Sequence, residues 1–127
     1  MKTNMVGWFE IPVLDMSRAK KFYEKVFEIK IQTDQFGDTL MGFFPFDENP
    51  EITGVGGALV LNDQFYKPMA NGTLVYFSSP EITFELTKVE EAGGVVLQEK
   101  SLIREDIGYM ALLLDSEGNR IALHSRE

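Results

Sequence analysis

The run Trp8-Phe9-Glu10-Ile11-Pro12-Val13-Leu14-Asp15, continuing into Met16-Ser17-Arg18-Ala19-Lys20-Lys21-Phe22-Tyr23, constrains the fold more than any other part of this chain. Val6 to Val13 is rich in Trp, Phe, Ile and Val, the residues that suit a strand. Pro12 near its end lacks an N–H, which a strand tolerates at a terminus or on an edge. Asp15 then offers a carboxylate to the free amides of a first helical turn. Met16, Ala19, Phe22, Tyr23, Val26 and Phe27 recur at steps of three and four, which predicts one buried helix face. Arg18, Lys20, Lys21 and Glu24 fall on the other side.

The same pattern returns at Gly72-Thr73-Leu74-Val75-Tyr76-Phe77-Ser78-Ser79-Pro80. Thr73 to Phe77 predicts a strand. Ser79 is the expected helix cap, with Pro80 at the first helical position and Glu81 near the positive end of the dipole. Ile82, Leu86 and Val89 mark a buried face, and Gly93 the stop. After the first helix, strands are expected at Ile29–Thr33, Thr39–Phe44 and Val55–Leu61. After the second they are expected at Val95–Gln98, Gly108–Leu114 and Arg120–Ser125. Gly37 and Gly118 stand in turns that need an unusual backbone angle, and the charged residues Lys100 to Asp106 read as a link. Asn62 to Gly72 reads as an ordered surface crossing. The two halves lie about 65 residues apart and form a weak internal repeat. The expected fold class is α+β: two βαβββ modules forming a curved, cup-like mixed sheet with helices outside. One domain is expected over residues 1–127, with modules at about 6–62 and 73–126.

Composition narrows the function. Twelve Lys and Arg against 20 Asp and Glu leave a net charge of -8. A phosphate backbone needs a basic footprint, so no nucleic-acid partner is expected. An acidic field favours a cationic ligand, and equally it serves solubility. Cys is absent, which removes disulfides and thiolate chemistry. No apolar run is long enough to span a membrane. Met1-Lys2-Thr3-Asn4-Met5 carries one positive charge with no apolar stretch after it, so no secretory leader is expected and the cytoplasm is the default location. Gly54, Gly56 and Gly57 lack the Lys-Ser/Thr and helix of a phosphate loop; close backbone approach or a bent strand suits them better.

The order βαβββ-βαβββ, the pattern Val13-x-Asp15 followed by Phe22-Tyr23, and the closing Asp115-x-x-Gly118-Asn119-x-Ile121 turn resemble the glyoxalase/bleomycin-resistance/extradiol-dioxygenase group, the vicinal oxygen chelate superfamily. The nearest branch is the one related to lactoylglutathione lyase, whose members end in a similar Leu-His-Ser. The resemblance covers nearly the whole chain. It implies a cup often completed across a homodimer, and metal enzymes with His, Gln or Glu on four strands. Carried over, those places hold Trp8, Thr73 and Ala122, and Val55 to Leu61 offers no side-chain ligand in any register. No metal and no other cofactor is therefore expected. The superfamily's dioxygenases use two His, and this chain has one.

Strand alternation puts Glu10 on the face of Trp8, and His124 on the face of Ala122. The resemblance makes that face the cup lining. Glu10 and His124 are then candidate acid–base groups, with Glu10 desolvated by Trp8 and Phe77 and its pKa raised toward neutral. The plainer alternatives are a paired surface carboxylate and a histidine bonded to a backbone carbonyl. Phe43, Phe44, Phe46, Tyr76 and Phe77 are available to stack a planar ligand or simply to pack the sheets. The expected lining is Trp8, Phe44, Thr73, Val75, Phe77 and Ala122, with Tyr109 and Glu105 at the rim. Ser17, Ser78 and Ser79 have no partners for a hydrolase triad. The function expected is that of a lyase or isomerase, or of a small-molecule-binding protein without the usual metal site. The alternative is a protein that sequesters a drug or metabolite. A homodimer and a small-molecule ligand are the expected partners.

Overall fold

The computed structural model describes residues 4–127; residues 1–3, part of the stretch read for a leader, lie outside the described residues. Two four-stranded mixed sheets and two helices make an α+β fold, with one βαβββ unit in each half of the chain. The first unit is β1 (Phe9–Pro12), α1 (Met16–Phe27), β2 (Gln32–Phe36), β3 (Thr39–Phe43) and β4 (Gly57–Leu61). The second is β5 (Tyr76–Ser78), α2 (Thr83–Val89), β6 (Val95–Arg104), β7 (Gly108–Leu114) and β8 (Arg120–Ser125). Strand order is β1-β4-β3-β2 in one sheet and β5-β8-β7-β6 in the other. In each unit the first strand runs parallel to the last, and the remaining pairs are antiparallel. Among the described residues, no helix is long and apolar enough to cross a membrane.

The first unit follows its sequence closely. Asp15 caps α1 from an extended backbone, its carboxylate accepting from the Arg18 N–H at 3.0 Å. Met16, Ala19, Phe22, Tyr23 and Val26 are buried on one face. Pro12 ends β1, an edge strand, where its missing donor costs no ladder bond. Gly37 and Gly118 have positive φ, as their turns require. Gly56 and Gly57 serve close packing. A Cβ on Gly57 would run into the Phe9 ring, and one on Gly56 would lie 3.1 Å from both Trp8 and Phe46.

Several boundaries differ from expectation, with β1 and β4 starting at Phe9 and Gly57 instead of Val6 and Val55, and four further differences have a physical reason. β2 begins at Gln32 instead of Ile29, because the Ile31 N–H donates to the Glu24 carboxylate at 2.9 Å while its side chain enters the core. β5 covers only Tyr76–Ser78, the residues that lie beside Ala122–His124 of β8. α2 begins at Thr83, not Pro80. Ser79 Oγ caps a preceding turn by accepting from the Glu81 N–H at 3.1 Å, and the Glu81 carboxylate accepts from Thr83. β6 runs on through Lys100 to Arg104, with β-bulges, because β7 supplies a ladder partner along its length.

The turn at 115–119 joins the two units. Asp115 accepts from the Tyr23 O–H at 2.6 Å. Glu117 accepts from the Leu14 and Asp15 amides at 2.8 and 2.9 Å and pairs with Arg18 at 2.6 Å. The Asn119 amide donates to the Pro12 carbonyl at 2.7 Å. Burial pushes Asp115 above the ordinary carboxylate range despite these donors. Burial also pushes Glu117 up, but Arg18 and the two amides outweigh it and hold the carboxyl low.

Candidate functional site

Parallel pairing of β1 with β4 sets Glu10 beside Ala58, and β3 sets Phe43 beside the same Ala58. Side chains on paired residues share a face, so Trp8, Glu10, Phe43 and Phe36 look out from the open side of the first sheet. Trp8 and Phe43 have ring centroids 6.2 Å apart, and Phe36 meets Phe43 edge-on at 6.0 Å. Phe9 and Ile11 point the other way, into the core.

β1 and β5 are the end strands of their sheets, and a cleft of about 840 Å3 lies between them. Trp8, Phe9 and Glu10 line one wall, and Thr73, Val75, Tyr76 and Phe77 the other. The Glu10 carboxylate is framed by aromatic donors: Tyr66 O–H reaches Oε1 at 2.7 Å and Trp8 Nε1–H reaches Oε2 at 3.2 Å. The bond to Glu10, then its charge, raises the Tyr66 phenol above its ordinary value. Glu10 also lines a smaller cleft of about 350 Å3 with Pro12, Thr73, Asn119 and Arg120.

Five of the eight residues expected at the site, Trp8, Glu10, Thr73, Val75 and Phe77, thus meet at one cleft. The other three do not. Ala122 is fully buried, because it lies between Tyr76 and Leu112 in the ladder; no ligand reaches its methyl group. His124 lines neither cleft that Glu10 lines. Its Nε2 lies 2.7 Å from the Ile107 carbonyl. A carbonyl only accepts, so this nitrogen donates. Phe44 follows β3 on the core side, packed against Phe9, Tyr23 and Phe77 with centroids 5.3–5.6 Å apart. Phe77 pairs with Leu123, one step out of phase with Ala122. Its ring therefore joins the same cluster, although its edge reaches the cleft. The desolvated Glu10 expected from the sequence is instead exposed.

Two residues at the site escape sequence reasoning. Tyr66 belongs to an irregular connection, where no periodicity points to a partner. Arg120 stands two and four residues before Ala122 and His124, and the same alternation would have placed it on their face. Its Nη2 donates to the Gly72 carbonyl at 2.8 Å, while its Nε is buried without an acceptor.

A metal held by the ligand set that the resemblance implies does not suit these residues. The indole N–H of Trp8 donates to Glu10 and has no lone pair to give, and Ala122 has no donor atom. β4 contributes only Gly, Ala, Leu and Val. Among the described residues, no group of three or more His, Asp or Glu side chains converges on one point.

Two βαβββ units arranged in this way are also the fold of solved glyoxalase and glyoxalase/bleomycin-resistance structures. Glyoxalase I of Zea mays shares it with a TM-score of 0.69 and 16% identity, over 94% of this chain and 45% of that one. The present chain therefore spans less than half the length of the maize enzyme. TnmS3, an antibiotic binding protein from Streptomyces sp. CB03234, superposes with a TM-score of 0.68 and 22% identity over 100% of this chain and 99% of its own. A glyoxalase/bleomycin resistance protein from Albidiferax ferrireducens T118 has a TM-score of 0.64 and 23% identity, over 98% of this chain and 100% of that chain. At these identities the likeness is one of fold. No family profile and no curated protein sequence matches the chain.

Proposed function

We propose that this protein binds a small organic ligand in the cleft between β1 and β5, without a metal, and sequesters it there. The observation that carries this reading is the setting of Glu10. Its carboxylate is exposed at the cleft between Trp8 and Tyr66, with no cation among its hydrogen-bond partners in the described residues. That is a recognition surface for a cation, which aromatic faces and an acidic protein both favour. The antibiotic-binding role of TnmS3 supports the same use of the fold. A lyase or isomerase reading, with Glu10 and His124 exchanging a proton with a carbonyl or hydroxy compound, has less support. It needs both groups at one cavity, and the His124 imidazole is engaged by a backbone carbonyl outside the Glu10 clefts.

The proposed working unit is a cytoplasmic homodimer, each chain one domain of two modules at about 6–62 and 73–126. Its support is the aromatic pair of Phe36 and Phe43, with Phe36 51% exposed, toward the β2 end of the open face, which a second copy would cover while Glu10 at the β1 edge stays open. Sedimentation of a monomer at high protein concentration would count against the dimer.

The test of the binding reading pairs metal analysis of the purified protein with a thermal-shift series over Mg, Mn, Fe, Co, Ni and Zn and over small organic amines. A ligand that prefers the folded state raises the melting temperature. We expect stabilisation by amines, lost in Glu10→Gln, and none by metals. Stoichiometric metal with a clear stabilisation would overturn the reading and return metal-dependent chemistry to the front.

A further inference from the structure

The cleft touches consecutive residues on both walls: Trp8, Phe9 and Glu10 on one, Thr73 through Ser78 on the other. Neighbouring residues of a strand point to opposite faces of its sheet. A cleft that meets both parities therefore opens along the strand edges and passes between the sheets, instead of lying on one face. The hydrogen bonds agree. β1 bonds toward β4 through the Phe9 and Val13 amides, at 3.2 and 2.9 Å from Gly56 and Val60. β5 bonds toward β8 through the Val75 carbonyl and the Ser79 amide, both at 2.9 Å. No strand pairing joins β1 to β5.

Beside this opening lies a second recess of about 320 Å3. It shares Phe9, Val55 and Phe77 with the first cleft. Its remaining wall is Phe27, Ile29, Phe44 and Pro45, so it is lined by apolar residues throughout. Phe27 and Phe77 have ring centroids 4.8 Å apart, and Phe9 meets Phe77 edge-on at 5.9 Å. A carboxylate with two aromatic donors thus stands in one cavity, and a neighbouring aromatic recess shares three of its lining residues. Val55, 40% exposed, stands at the junction.

We propose that the ligand is an amphipathic amine, with its ammonium at Glu10 and an aryl tail carried past Val55 into the recess between Phe27, Phe44 and Phe77. This deepens the binding reading above and rests on it. The ammonium supplies the charge that Glu10 lacks, and Trp8 and Tyr76, 46% and 50% exposed, present π faces beside it. The recess offers no polar side chain, so an apolar group gains most by filling it.

The test uses three compounds: n-butylamine, 4-phenylbutylamine and 4-phenylbutyrate. Binding is measured by calorimetry and by fluorescence of Trp8, the sole tryptophan, which lines the cleft. Burying a phenyl group predicts that 4-phenylbutylamine binds roughly tenfold to a hundredfold more tightly than n-butylamine. The phenylbutyrate should bind far more weakly than its amine. Val55→Phe, which fills the space beside the recess, should bring the ratio of the two amines' affinities down toward one. Equal affinity of the two amines, or a phenyl advantage that survives Val55→Phe, overturns the recess proposal and leaves the cleft reading standing. Binding of the carboxylate as tightly as the amine overturns the assignment of Glu10. Absence of binding by every compound, with Trp8 fluorescence unchanged, overturns the proposal and the amine-binding reading together.

Discussion

Gly57 lies where the Phe9 ring crosses the backbone of β4, and any Cβ would collide with that ring. The glycine is therefore a packing requirement, not a turn. We predict that Gly57→Ala costs about 1–3 kcal/mol, the usual penalty of overpacking, measured by urea unfolding. An unchanged midpoint would show that Phe9 moves aside freely. Because Phe9 forms part of the cleft wall, the same substitution should also disturb ligand binding. At this scale the sequence was legible wherever one residue does one local job: Asp15 as a cap, Gly118 in its turn, Pro12 at an edge. It was illegible where a side chain's partner comes from a distant segment. Tyr66 reaches Glu10 across 56 positions, and nothing local to either residue announces the other.

Helix α1 was readable because its twelve residues contain a full apolar stripe with a capping residue before it. The short strands were not. β5 has three residues and β1 four, and such strands extend only as far as a neighbour pairs with them. Thr73–Val75 has the composition of a strand but lies outside β5. The start of α2 shows the same dependence. Glu81 is held by Lys100 of β6, at 2.9 Å, and by Thr83. The hydrogen bond from Lys100, followed by those from Thr83, lowers its pKa from 4.5 to about 2. A depressed carboxylate stabilises the fold fully above its unfolded pKa and loses that contribution as pH falls through the folded value. The window here runs from 4.5 down to about 2. Acid unfolding of Lys100→Met should therefore show a shallower loss of stability across that range than the parent, and salt should narrow the difference because the pair is solvated. Parallel acid limbs in the two proteins would assign the shift to Thr83 alone.

At the scale of the molecule, the 115–119 turn of the second unit holds the β1–α1 junction of the first. The Glu117 side chain is fully buried, and it satisfies the Leu14 and Asp15 amides as well as Arg18. Glu117→Ala leaves those amides without their acceptor and should cost about 1–3 kcal/mol, read by denaturant unfolding. Hydrogen exchange should accelerate at Leu14 and Asp15; protection equal to the parent would mean the two units are held elsewhere. The α+β class, the repeated βαβββ order and the strand faces carrying Trp8 and Glu10 were all written in the sequence, because hydrophobic period and turn chemistry are local properties. The family resemblance also put Trp8, Thr73 and Ala122 where its metal enzymes carry His, Gln or Glu, which is the basis for proposing a cleft without that ligand set. Only the tertiary structure decided that Glu10 meets Tyr66, that His124 turns to a backbone carbonyl, and that β1 and β5 line a common cleft. Those features depend on how two sheets and an irregular connection settle against each other, and that packing is set by contacts between residues far apart in the chain.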